Sequence, residues 1–178
     1  MAIIEAIESH NLEVDTASIT FSSLAGYEHL ELIVSLNGTR TSSYNYTQIQ
    51  LNGDTGNNYS ERRIHASGGN LYGQSYASNP TMFQYENATP ATGNGNGFMY
   101  AQGRITFYDY LNANKNTTVS SDWGTVLGDG TYGNSDRTTQ VWDNTAAVTS
   151  IKLMFSSTGL MYLMRRGSSA TLYGIKSS

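Results

Sequence analysis

The sequence predicts an all-β protein, an antiparallel β-sandwich of the jelly-roll type, and three observations carry that expectation. Apolar and polar residues alternate with period two in several segments, the mark of strands with one buried face. Clusters of Gly, Asn and Ser, among them "NGTRTSS", "NGDTGNN", "SGGN", "ATGNGNG", "GDGTYGN" and "SSTG", separate those segments at the spacing of turns. Helical periodicity is confined to "IIEAIESH", which has room for a turn or two, and no fixed internal repeat supports a propeller. A chain of 178 residues makes one domain, able to bury about two thirds of its unfolded surface without a disulfide or metal staple.

Taken in order, residues 1–12 are apolar yet precede the alternating strands, so Ile3, Ile4 and Ile7 need a surface to cover. Glu5 and Glu8 interrupt that run and no basic lead precedes it, which is not the pattern of a secretory leader. "ASITF" sets Ile19 and Phe21 on one face, and "HLELIVSLN" does the same with Leu30, Leu32, Val34 and Leu36. In "IQLNGDTGNNYS" the oxygens of Asn52, Asp54 and Asn57 suggest either a calcium loop or a turn. A calcium loop needs a closing bidentate carboxylate, and Glu61 comes too late for one. Asn52-Gly53 between two strand-like runs is a strong hairpin signal, so a hairpin is expected. Residues 66–97, with Pro80, Pro90 and "TGNGNG", read as an irregular insertion at one end of the sandwich. "GRITFYDY" (Ile105, Phe107), "AVTSIKLMF" (Ile151, Leu153, Phe155) and "ATLYGI" (Ala170, Leu172, Gly174) complete the strands.

Composition excludes several chemistries. With no cysteine there is no thiolate zinc site and no cysteine nucleophile. Charged residues make up 13% of the chain against about 25% in an average domain, and the net charge of −4 argues against nucleic acid, which needs clustered Lys and Arg. No apolar stretch approaches the roughly 18 residues that span a bilayer. His10, His29 and His65 are far apart with no i, i+4 pairing, so no histidine metal site is expected. Signatures of a serine nucleophile elbow or a phosphate loop are missing. A glycosidase pair can come from distant strands, with Asp109, Asp122, Asp136 and Asp143 as candidates. Scattered acids are more often turn or surface groups, so no catalytic residues, and no enzyme, are expected.

Exposed aromatic rings beside Asn, Asp and Gly are what a sugar-binding surface needs, because ring faces stack on C–H faces while amides bond hydroxyls. "NLYGQSY" (Tyr72, Tyr76) and "LGDGTYGN" (Asp129, Tyr132) meet that requirement. Against it, tyrosines in a sandwich commonly fill core rims and cross-strand pairs.

Read in order, "SITFSSLAGYEHLELIVSLNGTR", "IQLNGDTGNNYSERRIHASGG", "GRITFYDYLNANKNTTVSS", "VWDNTAAVTSIKLMF" and "ATLYGI" resemble a family of small tailed-bacteriophage virion proteins of marine and cyanobacterial phages, called tail fibre, receptor-binding or capsid decoration proteins. The resemblance covers residues 18–176 and is weakest over 66–97. It implies a β-sandwich on the virion exterior, made in the bacterial host cytoplasm, with no cofactor and no catalytic residue to carry over. Neither heptads nor fibrous repeats precede the sandwich, which suits a capsid decoration or head-fibre subunit. Residues 1–12 then form an N-terminal docking arm, with Ile3, Ile4 and Ile7 as its contacts, ahead of a sandwich domain over 13–178. The expected partners are other copies of the chain, as a trimer, and virion proteins such as the major capsid protein. The alternative is a tail-fibre or receptor-binding adhesin that recognises host surface polysaccharide.

Overall fold

The computed structural model describes residues 2–22, 24–39, 46–84, 100–126, 133–157 and 160–177. The strands are β1 (Ala2–Asn11), β2 (Ser18–Phe21), β3 (His29–Leu36), β4 (Tyr46–Leu51), β5 (Tyr59–Ser67), β6 (Asn70–Asn79), β7 (Met82–Gln84), β8 (Ala101–Tyr108), β9 (Thr117–Val126), β10 (Gly133–Trp142), β11 (Ile151–Ser157), β12 (Leu160–Tyr162) and β13 (Ser169–Ser177). Eight of them form one antiparallel sheet in the order β1-β13-β3-β8-β9-β10-β5-β6, and the smaller sheet runs β12-β11-β4-β7, with β2 also paired to β11. The expected all-β sandwich is what the chain adopts, and it reaches it by crossing repeatedly between the two sheets.

The alternation read from the sequence fixes which side chains fill the space between the sheets. Leu30, Leu32, Val34 and Leu36 of β3, Ile105 and Phe107 of β8, and Leu172 of β13 point inward against Ile19, Phe21, Ile49, Leu51, Ile151, Leu153 and Phe155 of the smaller sheet. Each such side chain contributes about 1.5–3 kcal/mol through burial. Two glycines make room for aromatic rings in this layer. Gly103 lies opposite Trp123, and a Cβ on it would sit 2.4 Å from the indole. Gly174 lies beneath Tyr27, whose ring a Cβ would approach to 2.2 Å.

Three segments differ from expectation. Residues 2–11 are neither a helical turn nor a free arm but the edge strand β1, paired with β13 along its length. Their isoleucine spacing mimics a helix because the register shifts between Ala6 and Glu8. The extra residue, Ile7, is thereby turned toward the core, where it is partly buried, while Ile4 pairs with Ile175 on the outer face and Ile3 with Lys176. The three therefore do not share one apolar face.

The segment after β4 is a turn but not a hairpin, because β4 belongs to the smaller sheet and β5 to the larger one. Asn52 and Gly53 take the positive φ values of 53° and 67° that this dipeptide favours, and Asp54 N–H closes the turn on Leu51 O at 2.9 Å. The turn launches an arch between sheets, which pairing signals in the sequence do not distinguish from a hairpin. Finally, within the expected insertion 66–97, residues 70–79 form the regular strand β6, antiparallel to β5. Residues 85–97 lie outside the described residues.

Candidate functional site

The inner face of the larger sheet changes character from one side to the other. Cross-strand register sets three rows: Phe107, Val119, Gln140, Glu61, Tyr76; Ile105, Ser121, Thr138, Arg63, Gln74; and Gly103, Trp123, Asp136, His65, Tyr72. Each row starts in the apolar core at β8, becomes polar but still buried on β10 and β5, and ends in β6 at the rim. Short β7 packs near β5 and β10. The buried polar members include Glu61, Arg63, His65, Asp136 and Gln140.

These groups hold one another. Gln140 Nε2 donates to Glu61 Oε2 at 3.0 Å. Arg63 is central: its Nη2 lies 2.9 Å from His65 Nδ1, it also donates to Gln74 Oε1, and its Nε is 3.8 Å from Asp136 Oδ1. A planar guanidinium with donors on several edges suits this role, since buried charges persist only when paired and hydrogen-bonded. At the rim Tyr76 OH donates to the same Gln74 Oε1 at 3.1 Å. The Tyr72 ring lies parallel to His65, with centroids 4.8 Å apart at 17°. Tyr72 is nevertheless 44% exposed and Tyr76 37% exposed.

Of the four residues expected as a ligand surface, Tyr72 and Tyr76 thus sit on one rim, two positions apart on the same face of β6. Asp129 and Tyr132 lie outside the described residues. Glu61, Arg63, His65, Asp136 and Gln140 carry no motif. Their signal is parity: Tyr59 and Trp142 are obvious core aromatics, and stepping by two from them along "YSERRIH" and "SDRTTQVW" gives the buried polar set.

The acids singled out from the sequence do not gather into a pair. Asp122 is on the outer face, 3.6 Å from Arg137 Nε, and Asp136 is on the inner face. Asp109 is bound by Lys115, which holds its carboxyl below the usual range, and its N–H donates to His29 Nδ1 at 3.0 Å. Asp143 accepts from Asn116 Nδ2 at 2.7 Å. On the inner face, Glu61 lies opposite Gln140 and Asp136 opposite His65, so their backbone positions are four residues, about 13 Å, apart along the sheet.

The side-chain oxygens of Asn52 and Asp54, in the arch after β4, are also committed. Asn52 Oδ1 accepts from Thr149 N–H at 2.7 Å and Ser150 N–H at 3.1 Å, and its Nδ2 donates to Ala147 O at 2.9 Å. The Asp54 carboxylate accepts from Gly56 N–H at 2.8 Å, Asn58 Nδ2 at 2.9 Å and Trp142 Nε1 at 2.7 Å. Those bonds, the one from Asn58 foremost, hold its pKa below the usual carboxylate value. Tyr59 OH donates to Asp54 O at 3.1 Å, and burial pushes that phenol up to about 12. Asp54 bolts the arch onto Trp142 of β10 and Asn52 bolts it onto residues 147–150 before β11, the work of a structural corner. Among the described residues no three His, Asp or Glu side chains gather to hold a metal.

No family model matches the chain, and no curated protein matches it. Solved structures similar to it include peanut lectin with a 9mer peptide, at 8% identity and a TM-score of 0.24 over 99% of this chain and 93% of that one. Another is a GH16 of the Bacteroides ovatus mixed linkage glucan PUL in complex with product, at 9% identity and a TM-score of 0.24 over 97% and 84% of the two chains. At these values the likeness bears on neither the ligand nor the chemistry of this chain.

Proposed function

We propose that this chain is a non-enzymatic, carbohydrate-recognising β-sandwich carried on the exterior of a tailed-phage virion. The observation that carries the carbohydrate reading is the rim of β6, where Tyr72 and Tyr76 flank Gln74 and are backed by a fixed, buried polar grid. Tyr72 has one ring face against His65 and is still partly open to solvent, which suits stacking on the C–H face of a sugar ring. Gln74 and the Tyr76 hydroxyl provide donors and acceptors for sugar hydroxyls alongside. A polar surface of low charge fits a neutral ligand.

The non-enzymatic part is supported by the roles of the buried acids. Glu61 is bonded by an amide and Asp136 lies beside a guanidinium, the environment of structural rather than reacting carboxylates. Titration calorimetry against a panel of neutral oligosaccharides and phage-host surface polysaccharides tests the proposal. Binding to at least one is expected, weakened about tenfold or more by Tyr72→Ala or Tyr76→Ala with an unchanged circular dichroism spectrum, a loss of about 1.4 kcal/mol. Absence of binding to the whole panel, or binding indifferent to both substitutions, sinks it.

A head-decoration role has its own supporting observation. Ile4, 62% exposed, lies beside Ile175 on the outer face of the β1 edge, so apolar surface is left to cover there. Mass spectrometry of separated heads and tails discriminates the two: stoichiometric presence on DNA-filled heads favours decoration, and presence on tails favours the adhesin.

A further inference from the structure

The two edges of the larger sheet are built differently. β1 carries Glu5 and Glu8, which discourage a further strand from adding to it, and its register shift falls mid-strand at Ala6/Glu8, whereas that of β6 falls at its end, between Tyr76 and Asn79. β6, at the opposite edge, has no strand on its outer side among the described residues, and it carries no charged side chain and no proline in ten residues. Nearly all of its positions are exposed, and Leu71 at 74%, Tyr72 and Tyr76 are joined there by Ile64 of β5 at 59%. A long, regular, uncharged edge with exposed apolar side chains is a template for another strand.

We propose that β6 pairs antiparallel with β6 of a second copy, joining two eight-stranded sheets about a twofold axis at Gln74. The occupant follows from self-complementarity. Ser78 takes a positive φ of 57° and ends the regular strand, so residues 71–77 are the stretch able to pair, and Gln74 is its midpoint. In that register Tyr72 faces Tyr76 of the second copy, Leu71 faces Ala77, and Gly73 faces Ser75. Both tyrosine pairs are aromatic cross-strand contacts on the inner face, and no like charges meet anywhere. The equivalent pairing of β1 about its centre sets Glu5 against Glu8 twice. A twofold contact of one patch with itself also closes, leaving both copies with no free β6 edge. This pairing makes a dimer rather than the trimer expected from the sequence, and it does not depend on any sugar being bound.

Light scattering on the whole chain at about 200 µM, an affinity range typical of weak edge contacts, is expected to give the mass of two copies. A strict monomer or a trimer overturns the proposal. Leu71→Lys with Ala77→Lys, both at exposed positions, sets lysine against lysine at two places in this register and is expected to yield a folded monomer. Mixing it with Leu71→Glu/Ala77→Glu is expected to restore dimers. A lysine variant that remains dimeric, or a mixture that stays monomeric, overturns the register. Gln74→Cys supplies a second route that keeps the apolar contacts. The chain has no other cysteine, and directly opposed residues have Cα atoms about 4.5–5.5 Å apart, within disulfide range. Mild oxidation should convert most of that variant to a covalent dimer; a persistent monomer counts against twofold pairing at Gln74.

Discussion

Asp54 is the side chain on which the corner between β4 and β5 turns, and its bonds make it sensitive to both substitution and pH. Asn58 Nδ2 and Trp142 Nε1 share Asp54 Oδ2 while Oδ1 accepts from Gly56 N–H, so the amide of Asp54→Asn either turns its own donor on Gly56 N–H or, flipped, leaves both Asn58 and Trp142 without an acceptor. A loss of about 1–3 kcal/mol at pH 7 is expected, measurable by urea unfolding. The folded pKa of Asp54 is depressed below the unfolded value of 3.8, so its stabilisation is present above that value and disappears as pH falls through the lower, folded one. The gap between wild type and variant should therefore narrow below about pH 3.8, and a constant gap would contradict the assignment. Tyr59 has the opposite sign: its raised value means that stabilisation present below the ordinary phenol range is lost as pH rises toward about 12. Spectrophotometric titration should show Tyr59 ionising late, and Tyr110, raised by burial, and Tyr27, raised by its bond to Glu5, also above the ordinary phenol range. Gly103→Ala is a test of packing, because its Cβ would overlap the Trp123 ring with the core on all sides. A cost of about 1–3 kcal/mol and a changed tryptophan emission are expected.

At the level of the element, β1 contributes more than a docking arm would. Ile7 packs on the core, and Glu5 accepts from Tyr27 OH at 3.1 Å and Lys176 Nζ at 3.2 Å. Deleting residues 2–11 strips the edge from β13 and uncovers that packing. The truncated chain should lose at least about 3 kcal/mol, the scale of losing one buried isoleucine, and about 5–10 °C in Tm. Calorimetry showing an unchanged melt would return β1 to the status of a detachable arm. Under the proposed virion role, failure of such a chain to reach particles would report lost stability as well as lost contacts, so the cleaner attachment test of that proposal is Ile4→Glu, which leaves the pairing in place. The corner after β4 illustrates the same difference of scale: Asn52-Gly53 makes the local turn that its residues dictate, but which sheet the chain enters next is decided by Trp142 and Tyr59 further on.

For the whole molecule, the sandwich supplies a rigid frame on which the two ends of one sheet do different things, an edge guarded by glutamates at β1 and an open, uncharged edge at β6. Because the side-chain oxygens of Asn52 and Asp54 are already bonded to the protein, removal of divalent cations with EDTA should leave Tm unchanged; a fall of several degrees restored by calcium would show that this account of Asn52 and Asp54 is wrong. The sequence by itself determined the all-β class, the inward residues of β2, β3, β8, β11 and β13, and the turn at Asn52-Gly53. Those properties depend on period-two alternation and on local backbone preference, which nearest neighbours along the chain encode. It also singled out Tyr72 and Tyr76, though not the strand that bears them. Only the tertiary structure decided that residues 2–11 close one sheet edge, that 70–79 form the other, and that Glu61, Arg63, His65, Asp136 and Gln140 share one buried grid behind the two tyrosines. The physical reason is that strand partners and sheet membership are chosen by long-range packing and register: a polar residue on an inward parity is indistinguishable in sequence from one on a wet face until its neighbours across the sheet are in place.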